Sequence, residues 1–115
     1  MNDDVLDLKE FLERVQDDKE LLLELLDIFQ QDFQDKRVLL NTAIESNDYE
    51  QIKSIAHSLK GASGNISAKA LRATMLSFEE IVRAKNLTEA RNVFHKMDGQ
   101  FEALKNRIQI LKKEL

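Results

Sequence analysis

The residues of this chain best suited to chemistry are a histidine and a lysine one helical turn apart, His57 and Lys60. An exposed histidine on a rigid helix can serve as a nucleophile, a general base or a metal ligand, or simply stand in solvent. Catalysis in place needs companions: a carboxylate–serine set, a metal or a pocket. The sequence offers no Gly-rich phosphate loop, no nucleophile elbow and no spaced metal ligands. What it offers is Lys60, with Lys53 on the other side of His57. A cation one turn away suits an anion on the ring nitrogen, and a phosphoryl group brings close to two negative charges. A neutral imidazole is nucleophilic near physiological pH, so it accepts a phosphoryl group without a dedicated base. Because N–P bonds are labile, it can also pass that group on. A protein built this way is a carrier whose partners supply the metal and the acid residues.

The element that must position this pair is the stretch Gln51–Ile66, QIKSIAHSLKGASGNI. Read as a helix, it places Ile52, Ile55, Ala56, Leu59, Ala62 and Ile66 in one apolar stripe. His57 falls nearly opposite, with Lys53, Lys60, Gly61 and Gly64 around it. Glycine inside a helix costs about 1 kcal/mol relative to alanine, yet two of the chain's three glycines stand here, on the solvent side. One reading is that another molecule must approach the imidazole closely, where a Cβ would obstruct it. The other is that Gly61 and Gly64 mark a fraying helix end, and next to Asn65 that reading is as good for Gly64.

The remaining segments supply the partners of this helix. Val5 to Val15 reads as a short amphipathic helix through Val5, Leu8, Phe11, Leu12 and Val15. Asp17 with Glu20 three residues on has the form of a capping box. A stripe through Leu21, Leu22, Leu25, Ile28, Phe29 and Phe33 follows, resuming at Leu39, Leu40, Ala43 and Ile44. It reads as one long helix or as two with a bend near Asp35 to Arg37. Ser46-Asn47-Asp48 breaks the chain, and Asp48 with Gln51 restarts it. Asn65 to Ser67 form a tight connection, and Ala68 to Ala84 form a helix burying Leu71, Met75, Phe78, Ile81 and Val82. Lys85-Asn86 closes it, and Asn86 with Glu89 caps a final helix carrying Ala90, Val93, Phe94, Met97, Phe101, Leu104, Ile108 and Leu111. His95 beside Phe94 has no companions and reads as a surface bystander. Short loops make consecutive helices antiparallel neighbours. The expected fold is all-α, an up-down antiparallel four-helix bundle with a short extra N-terminal helix, in one domain over 1–115.

Composition bounds the function. The chain is 43% hydrophobic and 33% charged, with no proline and six phenylalanines, the profile of a helical bundle. A formal net charge of −4 and the lack of a basic tract argue against nucleic acid as a partner. With no cysteine and two histidines outside any HExxH-like spacing, no metal site is expected, and a reducing cytosol is compatible. The longest apolar-rich stretch, Leu21 to Phe29, is broken by Glu24 and Asp27 and cannot span a bilayer. No signal peptide precedes it.

His57-Ser58-Leu59-Lys60-Gly61, followed by Ala62-Ser63-Gly64-Asn65-Ile66-Ser67-Ala68, resembles the signature of histidine-containing phosphotransfer (HPt) domains. That signature runs H-x-L-K-G, then small residues, an aliphatic residue and usually Gly-Ala. Phe11 to Arg14, Asp18 to Phe29, Asn47-Asp48 and Leu71 through Glu79 resemble the family's flanking parts. The resemblance implies a phosphorelay intermediate in which His57 is phosphorylated on Nε2 and relays the group between aspartates of receiver domains. Lys60 would hold the phosphoryl oxygens, and Gly61 and Gly64 would clear space for the receiver's loops. Glu79, at the position where the family often has Gln or Glu, would hydrogen-bond the other ring nitrogen; the alternative is a solvated surface carboxylate. Ser67 stands where the family usually has Gly, and a helix-capping role for it predicts little effect.

No cofactor is implied, Mg²⁺ being expected on the receiver. The implied protein is a cytoplasmic monomer without independent catalysis, either free-standing or a piece of a hybrid histidine kinase, a parent that could be membrane-anchored. The rival readings are a pseudo-HPt interaction module that binds without phosphotransfer and a histidine-kinase dimerisation domain. The His57–Lys60–Gly61 set argues against the first, and the lack of a following ATP-binding motif against the second.

Overall fold

A computed structural model describes residues 4–115; residues 1–3, part of the single domain expected over 1–115, lie outside the described residues. Five helices follow one another: α1 (Leu8–Arg14), α2 (Lys19–Glu45), α3 (Tyr49–Asn65), α4 (Lys69–Ala84) and α5 (Leu87–Glu114), and among the described residues there is no strand. α3 packs on α2 and α4, and α5 packs on α4 and α2, so four helices close a ring. Connections of two or three residues make each neighbour antiparallel. This is the expected up-down four-helix bundle, about 42 Å long and 21 by 20 Å across.

Side-chain caps start most of the helices. Asp48 accepts the Gln51 N–H at 3.1 Å and Asn86 accepts the Glu89 N–H at 3.1 Å, as their spacing predicts. The start of α2 is shifted by one residue from the expected box. Asp18 is the cap, accepting the Leu21 N–H at 3.0 Å, because Gln16 and Asp17 both turn through positive φ. α2 then runs unbroken to Glu45, without the bend considered near Asp35.

The core takes Leu22, Leu26, Phe29, Phe33, Leu40, Ala43 and Ile44 from α2. From α5 it takes Ala90, Met97, Phe101, Leu104, Ile108 and Leu111. α3 contributes Ile52, Ile55, Ala56 and Leu59, and α4 contributes Leu71, Met75, Phe78 and Ile81. Val82 and Ala62 pack against this core but stay partly exposed. The expected α2 stripe was too wide. Leu21, Ile28 and Leu39 are exposed, and with Leu25, Asp32 and Asp35 they form a second ridge at alternating spacing of four and three, on the flank facing α3. That flank is fixed by Lys36, which pairs with Asp32 and donates to Ser58 Oγ at 2.7 Å.

α1 is shorter than the Val5–Val15 helix expected. Asp7 caps it, and Asp4 to Leu6 form a turn and a short non-helical segment against the α3–α4 connection: the Asp7 N–H donates to Ser67 O at 2.9 Å and Ala70 N–H to Asp4 O at 2.8 Å. Leu6, not Val5, is the buried side chain there. Lys69 donates to Asp7 at 2.8 Å, and Arg14 donates to the carbonyls of Gly64 and Asn65 at the end of α3.

Ser67 is a correction to the capping role expected for it. Ala68 is the N-cap of α4 and makes no side-chain cap bond. Ser67 instead holds φ at 62°, the left-handed region that favours glycine. It is buried, and its hydroxyl donates to Glu10 Oε1 at 2.7 Å, which ties the turn to α1.

This polar clamp makes α1 pH-sensitive. The Lys69 hydrogen bond, then that of the Glu10 N–H, holds the Asp7 carboxyl below the usual carboxylate range. The Ser67 hydroxyl, with help from Lys69, lowers that of Glu10. A carboxyl lowered in the folded state contributes stability above its unfolded pKa, roughly 4, and loses it as pH falls through the folded value. Amide hydrogen exchange of α1 is therefore expected to accelerate as pH falls below about 4, relative to the intrinsic rate, while amides in the middle of α3 and α5 stay protected. Equal loss of protection in all helices would mean that α1 is not separately held.

Candidate functional site

The site is built by α3 and α4. The apolar stripe of α3 is anchored in the core, which turns the opposite face, with His57, Gly61 and Lys53, to solvent. His57 is exposed and lines a shallow depression of about 430 Å³ with Glu50, Lys53, Ser54 and Glu79. Gly61, Gly64 and Lys60 line a second, larger depression beside it, about 720 Å³, shared with Glu10, Arg14, Asn65, Lys69 and Arg72.

The sequence-predicted site residues are thus gathered on one face, but their pairing was not foreseen. Lys60 Nζ donates to Glu79 Oε1 at 3.0 Å, across from α3 to α4. That hydrogen bond and the ammonium charge hold the Glu79 carboxyl below the usual carboxylate range, with smaller attractions from His57 and Arg83. Glu79 is the carboxylate expected to orient the imidazole; here it reaches Lys60, and among the described residues it makes no hydrogen bond to His57. Nineteen positions separate the two partners, and no periodicity within one helix links them.

The two glycines differ. A Cβ at Gly61 would stand in open space, with nothing beyond its own helix backbone within 4 Å among the described residues. At Gly64 it would meet Arg72 Cδ at 3.3 Å, so the Arg72 side chain must give way. Neither glycine has positive φ; Gly61 lies a full turn inside α3, whereas Gly64 does stand at the helix end, one residue before Asn65, with its carbonyl accepting the Ile66 N–H. Gly99 on α5 also stands open, but it lines a different depression with Val5 and Ala70, so openness at Gly61 matters only through its place beside His57.

His95 is exposed on α5 and lines neither depression. Among the described residues, no group of three His, Asp or Glu side chains is placed to hold a metal ion. No described helix is long and apolar enough to cross a membrane. Chemically, the face presents a solvent-accessible imidazole, an amine one turn away that is tied to a carboxylate, and bare backbone beside them.

The chain is 28% identical over 103 residues to histidine-containing phosphotransfer protein 2 of Arabidopsis thaliana, covering 85% of this chain and 66% of that protein. It is 26% identical over 108 residues to histidine-containing phosphotransfer protein 5 of the same plant, covering 87% and 67%. It therefore spans about two thirds of the length of these relatives. The crystal structure of histidine-containing phosphotransfer protein B (HptB) from Pseudomonas aeruginosa PAO1 has the same fold, with a TM-score of 0.87 over 96% of both chains at 24% identity. The family model described as Hpt domain matches residues 24–112, which takes in α3, α4 and nearly all of α2 and α5. With His57 and Gly61 of the H-x-L-K-G segment exposed on α3 of a closed four-helix ring, the chain belongs to the Hpt domain family.

Proposed function

We propose that this protein is a phosphorelay intermediate, in which His57 takes a phosphoryl group from an aspartyl phosphate of one receiver domain and passes it to an aspartate of another. The observation that carries this reading is an exposed imidazole flanked by an amine and by a glycine whose missing Cβ leaves open space. In the forward step the Nε2 lone pair forms the N–P bond as the P–O bond to the receiver's aspartate breaks. That carboxylate leaves with the bonding pair, and Nδ1 keeps its proton. The same step reversed on a second receiver regenerates the imidazole.

Lys60 meets the phosphoryl oxygens as a point charge. Glu79 accepts the Nδ1–H through the oxygen that Lys60 does not take, which fixes the tautomer. Gly61 and Gly64 let the receiver's loops approach, and the exposed aliphatic ridge of Leu21, Ile28 and Leu39 gives them apolar surface to cover. The receiver supplies Mg²⁺ and the acid groups, so this chain is a carrier without catalysis of its own. It works as a cytoplasmic monomer, free-standing or within a hybrid histidine kinase.

The test is transfer from receiver domains charged with radiolabelled acetyl phosphate in Mg²⁺. Label should appear on the protein and be acid-labile and alkali-stable; no label across a panel of receivers would overturn the reading. A second substitution separates docking from folding. Gly61→Leu should raise stability by up to about 1 kcal/mol through helix propensity, while slowing transfer at least about tenfold by obstructing the receiver. Thermal melts and transfer rates check the two signs, and unchanged transfer would return Gly61 to an ordinary surface position.

A further inference from the structure

Lys60 is a committed cation. Its ammonium sits 3.0 Å from Glu79 Oε1, and its side chain is 20% exposed against 44% for Glu79. The neighbouring charges do not relieve this arrangement. Arg83 pairs with Glu80, Lys53 lies exposed across the His57 depression, and Glu50 lines the same depression as a further anion. We propose that Glu79 sets how tightly His57 holds a phosphoryl group, by competing with that group for the Lys60 ammonium. The proposal rests on the phosphocarrier reading above and deepens it.

The physical argument is a charge count. A phosphoryl group on Nε2 brings close to two negative charges to within reach of one ammonium that already neutralises a carboxylate. An ammonium has three donors, so it can touch both anions. Bridging them, however, holds like charges together, and attraction to one weakens the hold on the other. Loading His57 therefore draws Lys60 away from Glu79, and unloading returns it. A relay gains from this: a carrier that binds its cargo too tightly passes nothing on, and Glu79 offsets part of the stabilisation that Lys60 gives. Gln at position 79 would keep an oxygen able to accept the ring N–H but not the charge, so Glu79→Gln separates competition from ring orientation.

Potassium phosphoramidate serves as a donor that needs no receiver: the imidazole Nε2 takes its phosphoryl group, the P–N bond breaks, and the released amide takes a proton to leave as ammonia. The ratio of phosphorylated to free His57 is read by phosphorus NMR at a fixed phosphoramidate-to-ammonia ratio, subtracting signal that persists in His57→Gln. Glu79→Gln is expected to raise this ratio about two- to fivefold, the range for partly exposed ion pairs. Lys60→Met should lower it, and in the Lys60→Met background Glu79→Gln should have a clearly smaller effect. An unchanged or lowered ratio in Glu79→Gln would overturn the proposal. So would an equal rise in both backgrounds, since that is plain repulsion between Glu79 and the phosphoryl group without Lys60. Failure of the phosphocarrier reading shows separately, as wild-type protein that takes no label from any receiver.

Discussion

His57→Gln should accept no phosphoryl group at all while melting within about 0.5 kcal/mol of the wild type. The stability half follows from exposure, since the side chain faces solvent on the open side of α3, where substitutions rarely cost more. The activity half follows from chemistry: an amide nitrogen has no lone pair free to form an N–P bond, whereas the imidazole Nε2 does. His95 is also exposed and has Gly99 one turn on, as His57 has Gly61, but no lysine stands one turn from it and it lines neither depression, so it should not rescue the variant. Transfer from a charged receiver, followed by phosphoamino-acid analysis, checks both halves. Label retained on the variant would move the acceptor elsewhere, and a large drop in melting temperature would mean that His57 is a packing residue.

The second large effect lies in the core. Phe101→Ala should cost about 3–5 kcal/mol, the usual range for emptying a buried aromatic site. Phe101 is fully buried and stacks on Phe33 with ring centroids 4.4 Å apart at 22°, and Phe29 leans on Phe33 at 5.5 Å. This cluster joins α2 to α5, the one ring contact made by helices that are not consecutive in the chain. Against a total stability of roughly 5–15 kcal/mol, the loss should lower the melting temperature by on the order of 12–20 °C. In denaturant titrations the midpoint should fall with little change in slope. The site on α3 and α4 lies outside this cluster, so the protein still folded at low temperature should accept a phosphoryl group. A loss below about 1 kcal/mol would show that the stack contributes little to the core.

Much of this was legible in the sequence for identifiable physical reasons. Asp48 and Asn86 are short polar side chains just before helical stripes, and capping is a local interaction, so both helix starts could be read directly. The position of His57 opposite an apolar stripe is likewise a property of one helix. What the sequence hid was always a choice between near neighbours or a contact between helices. α2 carries more aliphatic residues than one stripe can bury, and period alone cannot separate the buried Leu22–Leu26–Phe29 line from the exposed Leu21–Ile28–Leu39 ridge. Val5 continues the helical spacing but lies outside α1, because Asp4 and Asp7 are tied by tertiary hydrogen bonds to the α3–α4 connection. Ser67 looks like a cap, yet the turn requires a left-handed residue there and Glu10 takes its hydroxyl. The Lys60–Glu79 pair belongs to two helices and exists only once they pack.

The brevity of the connections has a kinetic consequence. Three of the four helix contacts in the ring join consecutive helices through two or three residues, so little loop entropy is lost in forming them. Hairpin-like assembly of α2 with α3, and of α4 with α5, should be fast, with folding in milliseconds or less. Seating α2 against α5 is the sole closure that spans the length of the chain. If it comes after the transition state, removing Phe101 should leave the folding rate nearly unchanged and appear almost wholly as faster unfolding.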